Sequence, residues 1–152
     1  MRRIHQRDCT AALLTAWLVA QPAAEAADFR AGNLVVSRPW SSPTPPVATV
    51  GAVYFSISNT GSKTDRLTAL SSPAARRVEI HENRRAQGMM RMRALDFVDC
   101  PPGSTVKIEP GGMHIMLVGL TAPLTPGMEF PLSLTFRDSG ILKIMVTVSV
   151  RE

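Results

Sequence analysis

Apolar and polar residues alternate with a period of two in three separate stretches of this 152-residue chain. Successive side chains of a β-strand point to opposite faces, so this period predicts strands with one buried face and one exposed face. No apolar pattern of helical period is long enough to predict a stable helix. The side chains expected to face the core are Val53, Phe55, Ile57, Leu132, Leu134, Phe136, Leu142, Ile144, Val146, Val148 and Val150.

Turn-forming residues separate these strands at intervals of roughly ten to fifteen residues, as in β-sandwiches. Examples are Asn59–Gly61, Pro110–Gly112, Pro126–Gly127 and Asp138–Gly140. The pattern predicts an all-β fold, a Greek-key β-sandwich of about seven to nine strands. The alternative is a small mixed α/β domain, because residues 73–78 could form one helical turn.

The first 26 residues have the order of a secretory signal peptide. Arginines at positions 2, 3 and 7 precede an apolar run at 11–20, and Ala24-Glu25-Ala26 follows as a cleavage site. We expect residues 1–26 to be removed and residues 27–152 to form one exported domain without a membrane segment. Export and the lack of interleaved aromatic residues also argue against a nucleic-acid partner, although the whole chain has a formal charge of +5.

The exported domain would contain two His, one Cys and seven Met. Cys100 has no cysteine partner within residues 27–152, so we expect a buried free thiol. Met128 and Met145 are expected to fill the core, because Met on a strand usually does so. The chain has no G-x-S-x-G, H-E-x-x-H, C-x-x-C or phosphate-loop motif, so the sequence does not indicate an enzyme.

Both histidines of the exported domain belong to a pattern with two methionines, His81, Met92, His114 and Met116. Residues two apart on a strand share a face, so His114 and Met116 should project together. Met92 and Met90 should share a face of another strand, with residues 82–88 as the hairpin connection to the strand of His81. Neighbouring strands can then bring all four side chains to one surface.

Two imidazoles and two thioethers form a donor set that suits Cu(I) much better than Mg²⁺, Ca²⁺ or Mn²⁺. Zinc would be expected to take Cys, His or carboxylate ligands instead. A thioether needs no deprotonation and forms no disulfide, which makes it a useful ligand in an oxidising compartment. The sequence therefore predicts a copper site at His81, Met92, His114 and Met116.

The chain resembles the periplasmic copper chaperones of the PCuAC type over most of residues 27–152. The resemblance is carried by Tyr54–Gly61, Val78–Glu82, Gly88–Met92 and Pro110–Leu120, and by the spacing His-x10-Met-x21-His-x-Met. It implies a cupredoxin-like β-sandwich, a periplasmic location, and Cu(I) delivered towards the CuA centre of a respiratory oxidase. The implied partners are the apo CuA-containing oxidase subunit and a thioredoxin-like copper protein, and we expect a monomer. Many members carry a further Met where this chain has Asn83.

Two alternatives remain open at this point. An electron-transfer cupredoxin would use Cys, His and Met, but its ligands normally come from one short loop, whereas Cys100 and His114 lie far apart. A copper-independent exported interaction domain would leave the Met/His pattern without a metal. Arg84, Arg85, Arg91 and Arg93 either form a solvated surface or steer an acidic partner, and alternation places Arg91 and Arg93 away from the face of Met92.

Overall fold

The structure is a computed structural model that describes residues 28–151, and these residues form eleven β-strands and no helix. The all-β prediction is confirmed, whereas the strand count of seven to nine is wrong. The predicted signal peptide, residues 1–26, lies outside the described residues. The strands are β1 Phe29–Ala31, β2 Leu34–Ser41, β3 Val50–Asn59, β4 Asp65–Ser71, β5 Ala75–Ala86, β6 Met89–Leu95, β7 Val98–Cys100, β8 Thr105–Ile108, β9 Met113–Leu120, β10 Glu129–Phe136 and β11 Gly140–Val148.

Three of the strands that alternation did not predict are short, and short strands leave little alternation in a sequence. β1 and β7 have three residues each and β8 has four, too few for a period of two to stand out. The helical turn considered at residues 73–78 is also absent, because β5 begins at Ala75. Within the described part of the chain, no helix is long and apolar enough to cross a membrane.

The strands form two layers that are continuous through one parallel pair. One layer has the order β6-β5-β9-β3-β2, and the other has the order β11-β10-β4-β7. The layers are joined where Thr147 of β11 lies beside Trp40 of β2. Every other pair is antiparallel, with β1 added to β2 and β8 added to β3. β6 pairs only with β5, so the β5–β6 hairpin lies at the edge of the first layer.

The core lies between the layers and consists of the residues that alternation placed there. Ten of the eleven expected core residues are at most 9% exposed, and Val150, at 72%, is the exception because it follows the end of β11. Met128 packs against the core as expected. Met145 is 42% exposed, so its prediction as core filler is wrong: it alternates with Ile144 and Val146, which occupy the buried face.

The β5–β6 hairpin is longer and its turn tighter than the sequence indicated. Residues 82–86 belong to β5, and Ala86 pairs directly with Met89 across the two-residue turn Gln87-Gly88. Both turn residues have positive φ, 52° and 78°, the backbone that a type I′ hairpin turn requires. Gln87 is not a typical residue for that conformation, whereas Asn-Gly would have indicated the turn. The predicted connection at 82–88 is therefore wrong.

Candidate metal centre

Strands β5 and β9 place the two histidines directly opposite each other. Their antiparallel register pairs His81 with His114, and the two ring centroids are 5.9 Å apart. Ile80 and Ile115, the neighbours of these histidines along the chain, are buried in the core. Because side chains alternate along a strand, the core contacts of the two isoleucines orient both imidazoles to the outer face of the first layer.

The two methionines lie on the same face through their own strand pairs. Met116 follows His114 by two residues and lies opposite Ala52 of β3 and Glu79 of β5. Met92 of β6 lies opposite Asn83 of β5, one same-face position beyond His81. Opposite residues of an antiparallel pair share a face, so all four predicted side chains lie on one surface. Met90 also shares this face and lies farther along β6, opposite Arg85.

Three of the four predicted residues line one shallow depression of about 360 Å³ on this face. They are Met92, His114 and Met116, and Asn83 and Tyr54 line it with them. His114 is 7% exposed, while Met92 is 53% exposed. His81 is not among the lining residues, and its ring is engaged with a neighbour on β5 instead. The surface is therefore open at Met92 and closed around His114.

The two imidazoles have different hydrogen-bond partners. Nε2 of His81 lies 3.0 Å from Oε2 of Glu79, two residues earlier on the same face of β5. Nδ1 of His81 is buried and has no hydrogen-bond partner among the described residues. Nδ1 of His114 lies 3.3 Å from the backbone oxygen of Gly112. The hydrogen bond from His81 holds the pKa of the Glu79 carboxyl group below its ordinary value.

Sequence reasoning missed Glu79 and Tyr54 as neighbours of this site, together with Trp40, whose ring lies against that of Tyr54. Glu79 could have been found, because it precedes His81 by two residues and therefore shares its face. The two aromatic residues come together only through the pairing of β2 with β3, where their ring centroids are 4.8 Å apart. Burial raises the pKa of Tyr54, so its hydroxyl stays protonated at neutral pH.

Arg91 and Arg93 belong to the hairpin of residues 82–93, called the arm below, and lie on the face that alternation predicted. Arg91 and Arg93 lie opposite Arg84 and Glu82, on the face away from Met92. Glu82 accepts a hydrogen bond of 2.9 Å from Arg84, and its carboxylate lies 3.9 Å from Arg93. The arm is therefore a basic, exposed edge beside the Met/His face.

Cys100 lies away from these residues, at the end of β7 in the second layer. It is a free cysteine with 1% exposure, as expected. Burial, with the nearby charge of Asp65, raises the pKa of the thiol to about 11. Within residues 28–151, no group of three or more His, Cys, Asp or Glu side chains is placed to hold a metal ion.

Solved structures with the same arrangement of strands define the class of this fold. The copper-bound PCuAC domain of PmoF2 superposes with a TM-score of 0.71 at 24% identity, over 82% of this chain and 99% of that domain. The solution structure of CuI-DR1885 from Deinococcus radiodurans gives a TM-score of 0.61 at 24% identity, over 73% of this chain and 74% of that one. The chain is an all-β domain with the PCuAC fold, which confirms the resemblance found in its sequence.

Sequence comparison then identifies the family. Residues 34–148 match the profile of the LpqE-like family, described as "Putative lipoprotein LpqE-like". The "Putative lipoprotein Lxx21020" of Leifsonia xyli subsp. xyli is 34% identical over 137 residues, which is 89% of this chain and 81% of that protein. The chain belongs to the LpqE-like family.

Proposed function

We propose that this protein is an exported, periplasmic copper chaperone that binds one Cu(I) through His81, Met92, His114 and Met116. The observation that carries the proposal is the direct pairing of His81 with His114, on the same face as both methionines. Two solved relatives of the fold are copper-bound, one of them with Cu(I), and this adds support. No reaction is proposed, because the donor set suits a soft cation and the sequence has no G-x-S-x-G, H-E-x-x-H or C-x-x-C motif.

The donor set suits transport of Cu(I) better than permanent storage. Thioether sulfur and imidazole nitrogen are soft and intermediate donors, and neither thioether needs to lose a proton. Met92 is exposed while His114 is buried, so an incoming ligand could replace Met92 before it reaches the imidazole. Release by stepwise ligand exchange is what a carrier needs.

A Cu(I) competition titration of residues 27–152 tests the site. We expect Met92→Leu and His114→Ala to weaken Cu(I) binding, because each removes one donor. Met145→Leu is the matched control, since Met145 is also an exposed strand methionine but belongs to the second layer. Equal affinity in all four proteins would refute the proposed site and favour a copper-independent interaction domain.

An electron-transfer role is disfavoured by the position of Cys100. A blue-copper site needs a thiolate beside its histidine ligands. Cys100 is in the second layer and its pKa is raised to about 11, whereas His81 and His114 are in the first layer. Intense blue colour in the copper-loaded protein would overturn this conclusion.

We propose that the copper passes to the CuA centre of a respiratory oxidase, either directly or with a thioredoxin-like copper protein. The surface around the depression has the make-up of a docking site. Val50 lines the depression with Met92 and is 42% exposed, and Met90, on the same face of β6 as Met92, is 58% exposed. The arginines of the arm lie at one edge of these apolar side chains. Such a surface fits a partner with acidic residues around its own copper site.

Charge reversal on the arm tests this docking surface. Arg85→Glu with Arg91→Glu should slow copper transfer to an apo CuA domain at low salt, because steering acts on the rate of encounter. The difference should shrink as salt is added. Lys143→Glu, an exposed basic residue of β11 in the second layer, is the control. An unchanged transfer rate at low salt would exclude the arm from docking.

A further inference from the structure

We propose that Glu79 is a positioning residue for His81: it holds the proton on Nε2 and leaves Nδ1 as the nitrogen that His81 presents to copper. This inference rests on the proposed function, since it concerns the same site. It concerns a residue that is not itself a ligand. It also gives the two histidines different metal-binding nitrogens, because His114 would present Nε2.

The direction of the His81 hydrogen bond follows from its acceptor. Glu79 is ionised at neutral pH and can only accept, so the contact of 3.0 Å requires the hydrogen on Nε2 of His81. In the neutral imidazole the lone pair is then on Nδ1. That atom is buried without a hydrogen-bond partner among the described residues, and an unpaired buried acceptor is unfavourable. A soft cation bound to Nδ1 would give this nitrogen the partner that it lacks.

The same reasoning gives the opposite tautomer for His114. Its Nδ1 lies 3.3 Å from the backbone oxygen of Gly112, and a carbonyl oxygen can only accept. The hydrogen is therefore on Nδ1 of His114, and Nε2 has the lone pair. Hydrogen bonds of this kind commonly fix the tautomer and the orientation of metal-binding histidines. Here a side-chain carboxylate does so for one ring and the backbone for the other.

Glu79 is itself held from two sides. Its Oε2 accepts the hydrogen bond from His81, and its Oε1 lies 3.5 Å from Nη2 of Arg77. Arg77, Glu79 and His81 occupy successive same-face positions of β5, so the strand sets their order. Arg77 is largely exposed, so its ion pair is weak and serves mainly to orient the carboxylate. Glu79 also lies directly opposite the proposed ligand Met116.

The tautomers can be read without copper, by long-range ¹H–¹⁵N correlation spectra of ¹⁵N-labelled residues 27–152. His81 and His114 are the only histidines in this range, so assignment is simple. We expect protonated Nε2 in His81 and protonated Nδ1 in His114. Added Cu(I) should shift Nδ1 of His81 and Nε2 of His114. A protonated Nδ1 in His81 of the copper-free protein, or a Cu(I) shift at its Nε2, would overturn the inference.

Variants at position 79 then test the role of the carboxylate. Glu79→Ala should let His81 populate both neutral tautomers, leave His114 unchanged, and weaken Cu(I) binding about 10- to 100-fold. Glu79→Gln keeps an acceptor oxygen and should restore most of the affinity. Glu82→Gln is the matched control, because Glu82 is an acid of the same strand whose side chain bonds Arg84 on the opposite face.

The outcomes separate this inference from the proposed function. If the native protein does not bind Cu(I), the proposed function fails, while the spectra of the copper-free protein still decide whether Glu79 sets the tautomer. If Glu79→Ala binds Cu(I) like the native protein and keeps its His81 tautomer, Glu79 has no positioning role. If Glu79→Ala does not fold, Glu79→Gln and the native spectra decide the question.

Discussion

Replacing Asp65 by Asn should destabilise the domain and remove part of its acid sensitivity. Asp65 begins β4 and is 5% exposed. Its Oδ1 accepts backbone N–H groups from Arg66 and Asp138 at 2.7 and 3.0 Å, and its Oδ2 accepts that of Ser139 at 3.0 Å. One carboxylate thus connects the start of β4 to the turn between β10 and β11.

The magnitude follows from what Asn can replace. Its amide oxygen can still accept at one position, but its NH₂ group then faces the N–H of Ser139, and two donors oppose each other. A hydrogen bond to a charged group contributes about 1.5–3 kcal/mol, and an unsatisfied donor adds to the loss. We expect a decrease of about 2–4 kcal/mol in the free energy of unfolding at pH 7. For a domain of this size, that corresponds to a fall of roughly 10 °C in Tm.

The pH dependence follows from the lowered pKa of Asp65. Burial alone would raise this pKa, but the hydrogen bonds from Ser139, Asp138 and Arg66 outweigh it and lower it. A carboxyl group with a lowered pKa in the folded state contributes its stability above its unfolded pKa, about 3.9. The contribution is lost as the pH falls through the folded value. The difference between native protein and Asp65→Asn should therefore shrink below about pH 4.

Urea unfolding at pH 7 and at a series of lower pH values measures both effects. Asp99→Asn is the control: Asp99 lies opposite Arg66 on β7 and accepts a 2.7 Å hydrogen bond from it, but is 46% exposed. Its loss should change the free energy of unfolding by less than about 1 kcal/mol. If the two variants unfold alike at pH 7, the carboxylate of Asp65 does not have the stabilising role assigned to it.

Two further predictions concern Cys100 and Asn83. Cys100, with a pKa of about 11 and 1% exposure, should react with a thiol reagent at neutral pH only after unfolding; rapid reaction of the native protein would contradict its burial. Asn83→Met should tighten Cu(I) binding several-fold in the competition titration, because Asn83 lies opposite Met92 and lines the same depression. Val50→Met, at the other side of the depression, is the control, and an unchanged affinity in Asn83→Met would place copper away from position 83.

Local alternation was sufficient for most of the core. Ile57, Leu132 and Ile144 are buried as their positions required, because the period of a strand is a property of consecutive residues. The two errors arose at a residue beyond the end of a strand and at a residue on the outer face of that strand. Val150 is exposed because β11 has already ended, and Met145 is exposed because Ile144 and Val146 occupy the buried face.

The arm shows a different limit of sequence reasoning. Its strands continue to a two-residue turn, although Gln87 at φ 52° is not a residue that indicates such a turn. Pairing along the whole of β5 and β6 outweighs the local preference of Gln87. The position of Met92 opposite Asn83 follows from this register, and the sequence spacing from His81 does not specify it.

By itself, the sequence determined the strands with clear alternation, most of the buried face and the chemical character of the candidate site, because strand period and donor type are local properties. Only the tertiary structure decided that His81 lies opposite His114, with Met116 and Met92 on the same face. The tertiary structure alone also showed that Glu79 engages one nitrogen of His81 while its other nitrogen is buried without a partner. Registers between strands far apart in sequence are set by packing of the shared core, so they cannot be predicted from spacing along the chain.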